Sequence, residues 1–170
     1  MKAVFLKSKN SQIMGIPFTM IFSILLIIVF IVVAFIAIRH FMGIKKCAEI
    51  GIFTDNLKTR IDGVWKAEAA NDIFSESLSS GIKYVCFVNF SMPKKGEFLN
   101  LYDDLKYTSN IDSNFIFYPM GAACDPADKK ISHLNMGEIL KYKNPNCFKA
   151  EGKVDLTIKK SLDDVLVTIE

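Results

Sequence analysis

A chain of 170 residues with a formal net charge of +3 has room for one compact domain beside a membrane segment, not for two full-sized domains. The charge is unevenly placed: Lys2, Lys7 and Lys9 precede an uncharged run that ends at Arg39, and all 18 acidic residues follow it. Everything after the run is therefore neutral and lacks a long basic tract, which excludes nucleic acid as the expected partner, because phosphate neutralisation supplies much of that affinity.

Residues 1–15 form a short basic leader containing "KSKNSQ". Residues 16–38, "IPFTMIFSILLIIVFIVVAFIAI", hold no charge at all. As a helix this stretch measures about 35 Å, enough to cross a hydrocarbon core of about 30 Å with some tilt. A secretory h-region is shorter and ends in a small-x-small cleavage site; here Ala34 and Ala37 stand three apart and Arg39 follows. The expectation is a retained transmembrane helix over residues 16–42, with the lipid bilayer as its first partner. Pro17 sits at the helix entry, where the first-turn amides lack intrahelical partners anyway.

Past Gly43 the pattern becomes amphipathic. Cys47, Ile50, Phe53, Leu57, Ile61 and Val64 recur at steps of three and four, with Lys46, Glu49, Asp55, Lys58, Arg60 and Asp62 around the other side. That spacing predicts a helix continuing over residues 43–70 with one apolar stripe. Gly51 and Gly63 each lower its intrinsic stability by about 1 kcal/mol relative to Ala, so it needs a surface to pack on. Trp65 is read as part of that packing.

Residues 71–170 read as a β-rich domain. "SLSSG" is a turn, and "IKYVCFVNF" over residues 82–90 alternates, with Ile82, Tyr84, Cys86, Val88 and Phe90 on one face. Val85 and Phe87 make the other face apolar too, the mark of a central strand. "SMPKKGE" turns, and "NFIFYP" is a short strand ended by Pro119. Asn135 stands three residues before Glu138, a capping-box spacing that starts a short helix to about residue 142. "KVDLTIKK" alternates, "SLDD" turns and "VLVTIE" follows, an antiparallel hairpin. The fold class expected is α+β: a long N-terminal helix, transmembrane then amphipathic, packed on a small mostly antiparallel sheet, each burying the other's apolar face.

Four cysteines, Cys47, Cys86, Cys124 and Cys147, all follow the apolar run and none shows the close pairing of a zinc site. Two disulfides in an oxidising compartment is the leading reading; free buried thiols are the other. Basic residues flank the apolar run about equally, so the positive-inside rule returns a near tie. The cysteines break it, placing the N-terminus in the cytoplasm and the C-terminal domain outside. Of the three pairings that four cysteines permit, the favoured one is Cys47–Cys86 with Cys124–Cys147. It rests on Cys47 lying on the helix stripe, Cys86 on the covering strand, and Cys124 and Cys147 beside "CDP" and "NPNC" turns. In the competing reading Cys86 is a small buried hydrophobe.

The leader "KSKNSQIMG", the apolar run after it and the continuation into a cysteine-bearing β domain resemble type IV pilins and pilin-like proteins. Through "MGIPF", "YVCFVNF" and "KKISHLN" the chain also resembles single-pass proteins of small-genome archaea. The pilin resemblance implies cleavage of the leader, here between Ser11 and Gln12, and self-association or association with related subunits through the apolar helix. Ser11 stands where archaeal members usually carry Gly or Ala, and the acidic residue common near the start of bacterial pilin helices is absent.

Residues for catalysis are few. His133 is the one histidine of the domain, His40 lies at the membrane edge, and no Gly-x-Ser-x-Gly motif marks a nucleophile. Asp103-Asp104 and Asp163-Asp164 are adjacent pairs in apparent turns, not acid/base couples. Asp125 and Asp128 offer oxygens to a calcium ion, but their spacing fails the EF-hand pattern. Neither a metal nor a cofactor is expected, and the chain is read as a non-enzyme. Asn89, in the sequon Asn89-Phe90-Ser91, is a glycosylation candidate. The function expected is a pilin-like structural or assembly subunit of a cell-surface filament or envelope complex. The alternative is a lone single-pass protein with a partner-binding ectodomain.

Overall fold

The computed structural model describes residues 15–124 and 126–170, with side chains from residue 18. The predicted leader up to residue 14, with its Ser11 and Gln12, lies outside the described residues, and its last residue, Gly15, begins α1. The chain is mixed α+β and divides into two compact units, the first ending at Gly43 and the second running Ile44–Glu170. Helix α1, Gly15–Lys66, contributes to both.

In the first unit α1 carries the apolar run. Every described side chain there is exposed, and none of its most apolar window is buried within the protein. The segment is long and apolar enough to cross a membrane. Ser23 satisfies its hydroxyl on the Thr19 carbonyl at 2.8 Å, and the Arg39 guanidinium lies over the Phe35 ring at 4.7 Å.

The second unit begins with the amphipathic part of α1. Ile50, Phe53, Leu57, Ile61 and Val64 are all buried, as the stripe predicts, each worth about 1.5–3 kcal/mol by transfer from water. Cys47 departs from the stripe and is exposed. The helix ends at Lys66 rather than residue 70. Its last carbonyls are held by the ammonium of Lys160, which donates to Trp65 O at 2.7 Å and Ala67 O at 2.8 Å.

Two antiparallel sheets cover the stripe. The first is β1 (Ala70–Ser77), β6 (Lys153–Lys160) and β7 (Thr168–Ile169), in the order β1-β6-β7. The second is β2 (Tyr84–Phe87), β3 (Phe115–Tyr118), β4 (Asp128–Lys129) and β5 (Asn146–Lys149), in the order β4-β3-β2-β5. The expected 165–170 strand shortens to β7, but the hairpin holds, with Ile158 opposite Ile169. Phe53 joins the sheets, meeting Phe74 of β1 at 5.2 Å and Phe117 of β3 at 5.8 Å between ring centroids, both edge-to-face.

Strand β2 is central, as its two apolar faces require. Val85 and Phe87 pack into the core with the α1 stripe, while Cys86, Val88 and Phe90 belong to a second cluster. Helix α2 (Leu99–Thr108) closes that cluster with Leu101, Tyr102 and Leu105. This helix and β1 are not anticipated in the sequence. Asp103 and Asp104 accordingly lie on a helix, not in a turn. The short helix α3 (Met136–Ile139) starts as its spacing predicts, Asn135 Oδ1 accepting from the Glu138 amide at 3.2 Å, and stops short of residue 142.

Candidate functional site

All four cysteines are paired, but not as favoured from the sequence. The disulfides are Cys47–Cys124 and Cys86–Cys147. The error is one of parity. Side chains alternate along a strand, so Cys86 points away from the face that Val85 and Phe87 present to α1. A helix-to-strand bond from Cys47 to Cys86 would have to cross the sheet. Cys86 instead bonds the residue directly opposite it on β5, Cys147. Cys47, free of the buried stripe, reaches Cys124 in the segment after β3.

The bonds close intervals of 77 and 61 residues, each worth about 4–4.5 kcal/mol taken alone in the chain-entropy picture. The intervals overlap, so the two contributions do not simply add. Together they tie α1 to the segment after β3 and the central strand to its edge neighbour.

The remaining candidates occupy structural positions. His133 takes a left-handed backbone, φ 66°, and its ring stacks flat on Trp65 with centroids 3.7 Å apart. His133 Nδ1 lies 3.0 Å from Asp62 Oδ1. The three side chains tie the 131–135 segment to the end of α1. Nothing in the local sequence marks this group, since 71 residues separate Asp62 from His133. His40 is exposed on α1.

Asp125 lies outside the described residues. Asp128 accepts from Ser113 Oγ at 2.6 Å and from the Asn110 amide at 2.8 Å. Burial pushes its pKa up, but these hydrogen bonds outweigh burial and leave it below the ordinary aspartate value. Among the described residues no group of three or more His, Cys, Asp or Glu side chains converges as a metal site. Asp164 closes the turn after β6 by accepting from the Ser161 amide at 3.1 Å, and Asp163 beside it is exposed.

Asn89 lies past the end of β2 in an Asx turn, Oδ1 accepting from the Ser91 amide at 2.9 Å. Its backbone is clamped by the fully buried Asn144, whose side chain accepts from Asn89 N–H and donates to the carbonyls of Asn89, Met92 and Pro93. Sequence reasoning missed Asn144 because its partners lie more than fifty residues away.

A groove of about 610 Å³ lies between α3, β5 and β7 and is floored by Ile139, Phe148 and Ile169. Its charged side chains are largely engaged, Glu138 with Lys141 and Glu170 with Lys159. Every buried side-chain nitrogen or oxygen among the described residues has a hydrogen-bond partner. Among the described residues, the longest run of exposed apolar side chains is the apolar segment of α1. Comparison with known proteins found no matching family model, no matching curated protein and no matching solved structure.

Proposed function

We propose that this chain is a membrane-anchored structural subunit of a cell-surface assembly, of the pilin type, which associates with copies of itself or related subunits through its apolar helix. The observation that carries this reading is the division of labour along α1. One stretch is apolar on all sides and uncovered by protein, while the next buries one stripe in a domain locked by two disulfides. A helix apolar all round demands lipid or other helices; a helix with one stripe holds a domain. Two cystines belong to an oxidising compartment, so the domain lies outside the cytoplasm and the N-terminus inside. The described side chains support positioning rather than catalysis, with their polar groups spent on turns and caps.

Intact-mass measurement and native sizing of the membrane-extracted protein test this. The expected result is a mature chain cut between Ser11 and Gln12, two disulfides, and species larger than one copy. A chain retaining Met1 and running as a monomer under mild extraction contradicts it and supports a lone anchor with a partner-binding ectodomain.

A further inference from the structure

We infer that the domain carries a self-complementary knob and groove at opposite ends of β6, and that one copy's knob docks in the next copy's groove, head to tail. The inference rests on the assembly reading and names the domain contact it uses.

The knob is the turn between β6 and β7. Leu162 is 76% exposed and Val165 78% exposed, on a turn held rigid by the Ser161–Asp164 hydrogen bonds in both directions. Two bare aliphatic side chains on so short and fixed a loop are costly to leave in water, and Asp163 stands exposed between them. The groove has a volume of about 350 Å³ and lies where the chain enters β6. Ile82, Tyr84 and Ala150 give it an apolar lining, and Lys83 and Lys149 stand on its rim. Its frame is fixed by backbone bonds from Lys83 N–H to Tyr118 O at 2.7 Å and from Ala150 N–H to Lys83 O at 2.8 Å.

The charges match. Lys149 is paired with Glu151, which also lines the groove, but Lys83 and Asp163 form no ion pair among the described residues. An apolar knob carrying a spare carboxylate thus faces an apolar groove carrying a spare ammonium. The two sites are about 24 Å apart, the length of an eight-residue strand, so they cannot meet within one chain.

The direction also fits. Asn56 bonds Glu76, which sits opposite Val154. Arg60 pairs with Asp72, opposite Ile158, and the Trp65 carbonyl meets Lys160. Within the domain, α1 therefore runs alongside β6 in the same direction, and copies docked knob to groove advance along that direction. The contact is heterologous and propagates instead of closing as a two-fold pair.

Zero-length carbodiimide cross-linking of the full chain tests this in its own membranes, with copies made half with ¹⁴N and half with ¹⁵N. The expected product is a heavy–light peptide pair joining Lys83 to Asp163 or Asp164. Leu162→Ser keeps every reacting group and, at so exposed a site, leaves the unfolding midpoint unchanged, yet it removes the link. Multimers without this link, or Lys83 joined to a different protein, overturn the knob-and-groove contact and leave the anchor-and-assembly reading standing. A monomer retaining its leader overturns both.

Discussion

Replacing Phe53 by Ala strikes the point where α1 holds both sheets. Its side chain is 1% exposed and meets Phe74 of the first sheet and Phe117 of the second edge-to-face. Removing a buried ring costs about 3–5 kcal/mol in transfer and cavity terms, and losing two aromatic contacts of about 0.5–1.5 kcal/mol each places this site in the upper part of that range. We expect about 4 kcal/mol, a large share of a total of about 5–15 kcal/mol for a domain. With a urea slope of about 2 kcal/mol/M the midpoint falls by about 2 M. The assay is urea unfolding of the detergent-solubilised full chain, followed by the fluorescence of Trp65, the chain's single tryptophan. The neighbouring Ile52, exposed on α1, is the control, and Ile52→Ala should change stability by less than about 0.5 kcal/mol. A loss below about 1 kcal/mol for Phe53→Ala, or equal losses at the two sites, would refute the packing of this stripe.

Gly51→Ala and Gly63→Ala should each stabilise the domain by about 1 kcal/mol, because a Cβ at either position meets nothing within 4 Å; a loss of stability at either would place that helix face in contact. Non-reducing peptide mapping should recover Cys47 joined to Cys124 and Cys86 joined to Cys147, and any Cys47–Cys86 peptide contradicts the register of β2. Asp128 has a folded pKa below its unfolded value of 3.8. Its contribution is therefore complete above pH 3.8 and is lost as pH falls through the lower folded value; acid titration of Asp128→Asn should lack this part of the decline, and identical acid curves refute it. Val29→Asp, in the middle of the uncovered segment, should cost about 3 kcal/mol in membrane insertion, read as loss of membrane-inserted protein; wild-type levels contradict a lipid-facing or helix-facing role.

What was legible in the sequence was whatever repeats at short range. The stripe Ile50, Phe53, Leu57, Ile61 and Val64 was legible because five apolar residues at helical spacing have one explanation. Residues 82–90 read as a central strand because both faces are apolar, and the structure keeps Tyr84–Phe87 of it as β2; Asn135 announced α3 through its three-residue reach to Glu138. Strand β1 was invisible for the opposite reason: an edge strand whose one buried side chain is Phe74 shows no alternation of apolar residues. Helix α2 is only ten residues long, and its polar "DDLK" stretch reads as a turn until Leu101, Tyr102 and Leu105 are seen covering the far face of β2. The disulfide pairing failed because it assumed that sheet and helix share one core, whereas the second sheet buries both faces. His133 and Asn144 owe their roles to partners dozens of residues away, which no local pattern records.

The measurement that bears most directly on the assembly reading is photo-cross-linking from a diazirine side chain placed at position 29, in native membranes, with adducts identified by mass. Position 29 lies within the uncovered segment of α1. We expect adducts to a second copy of this chain or to other subunits through their own apolar helices. Adducts to lipid alone, from protein that is correctly inserted, would contradict it.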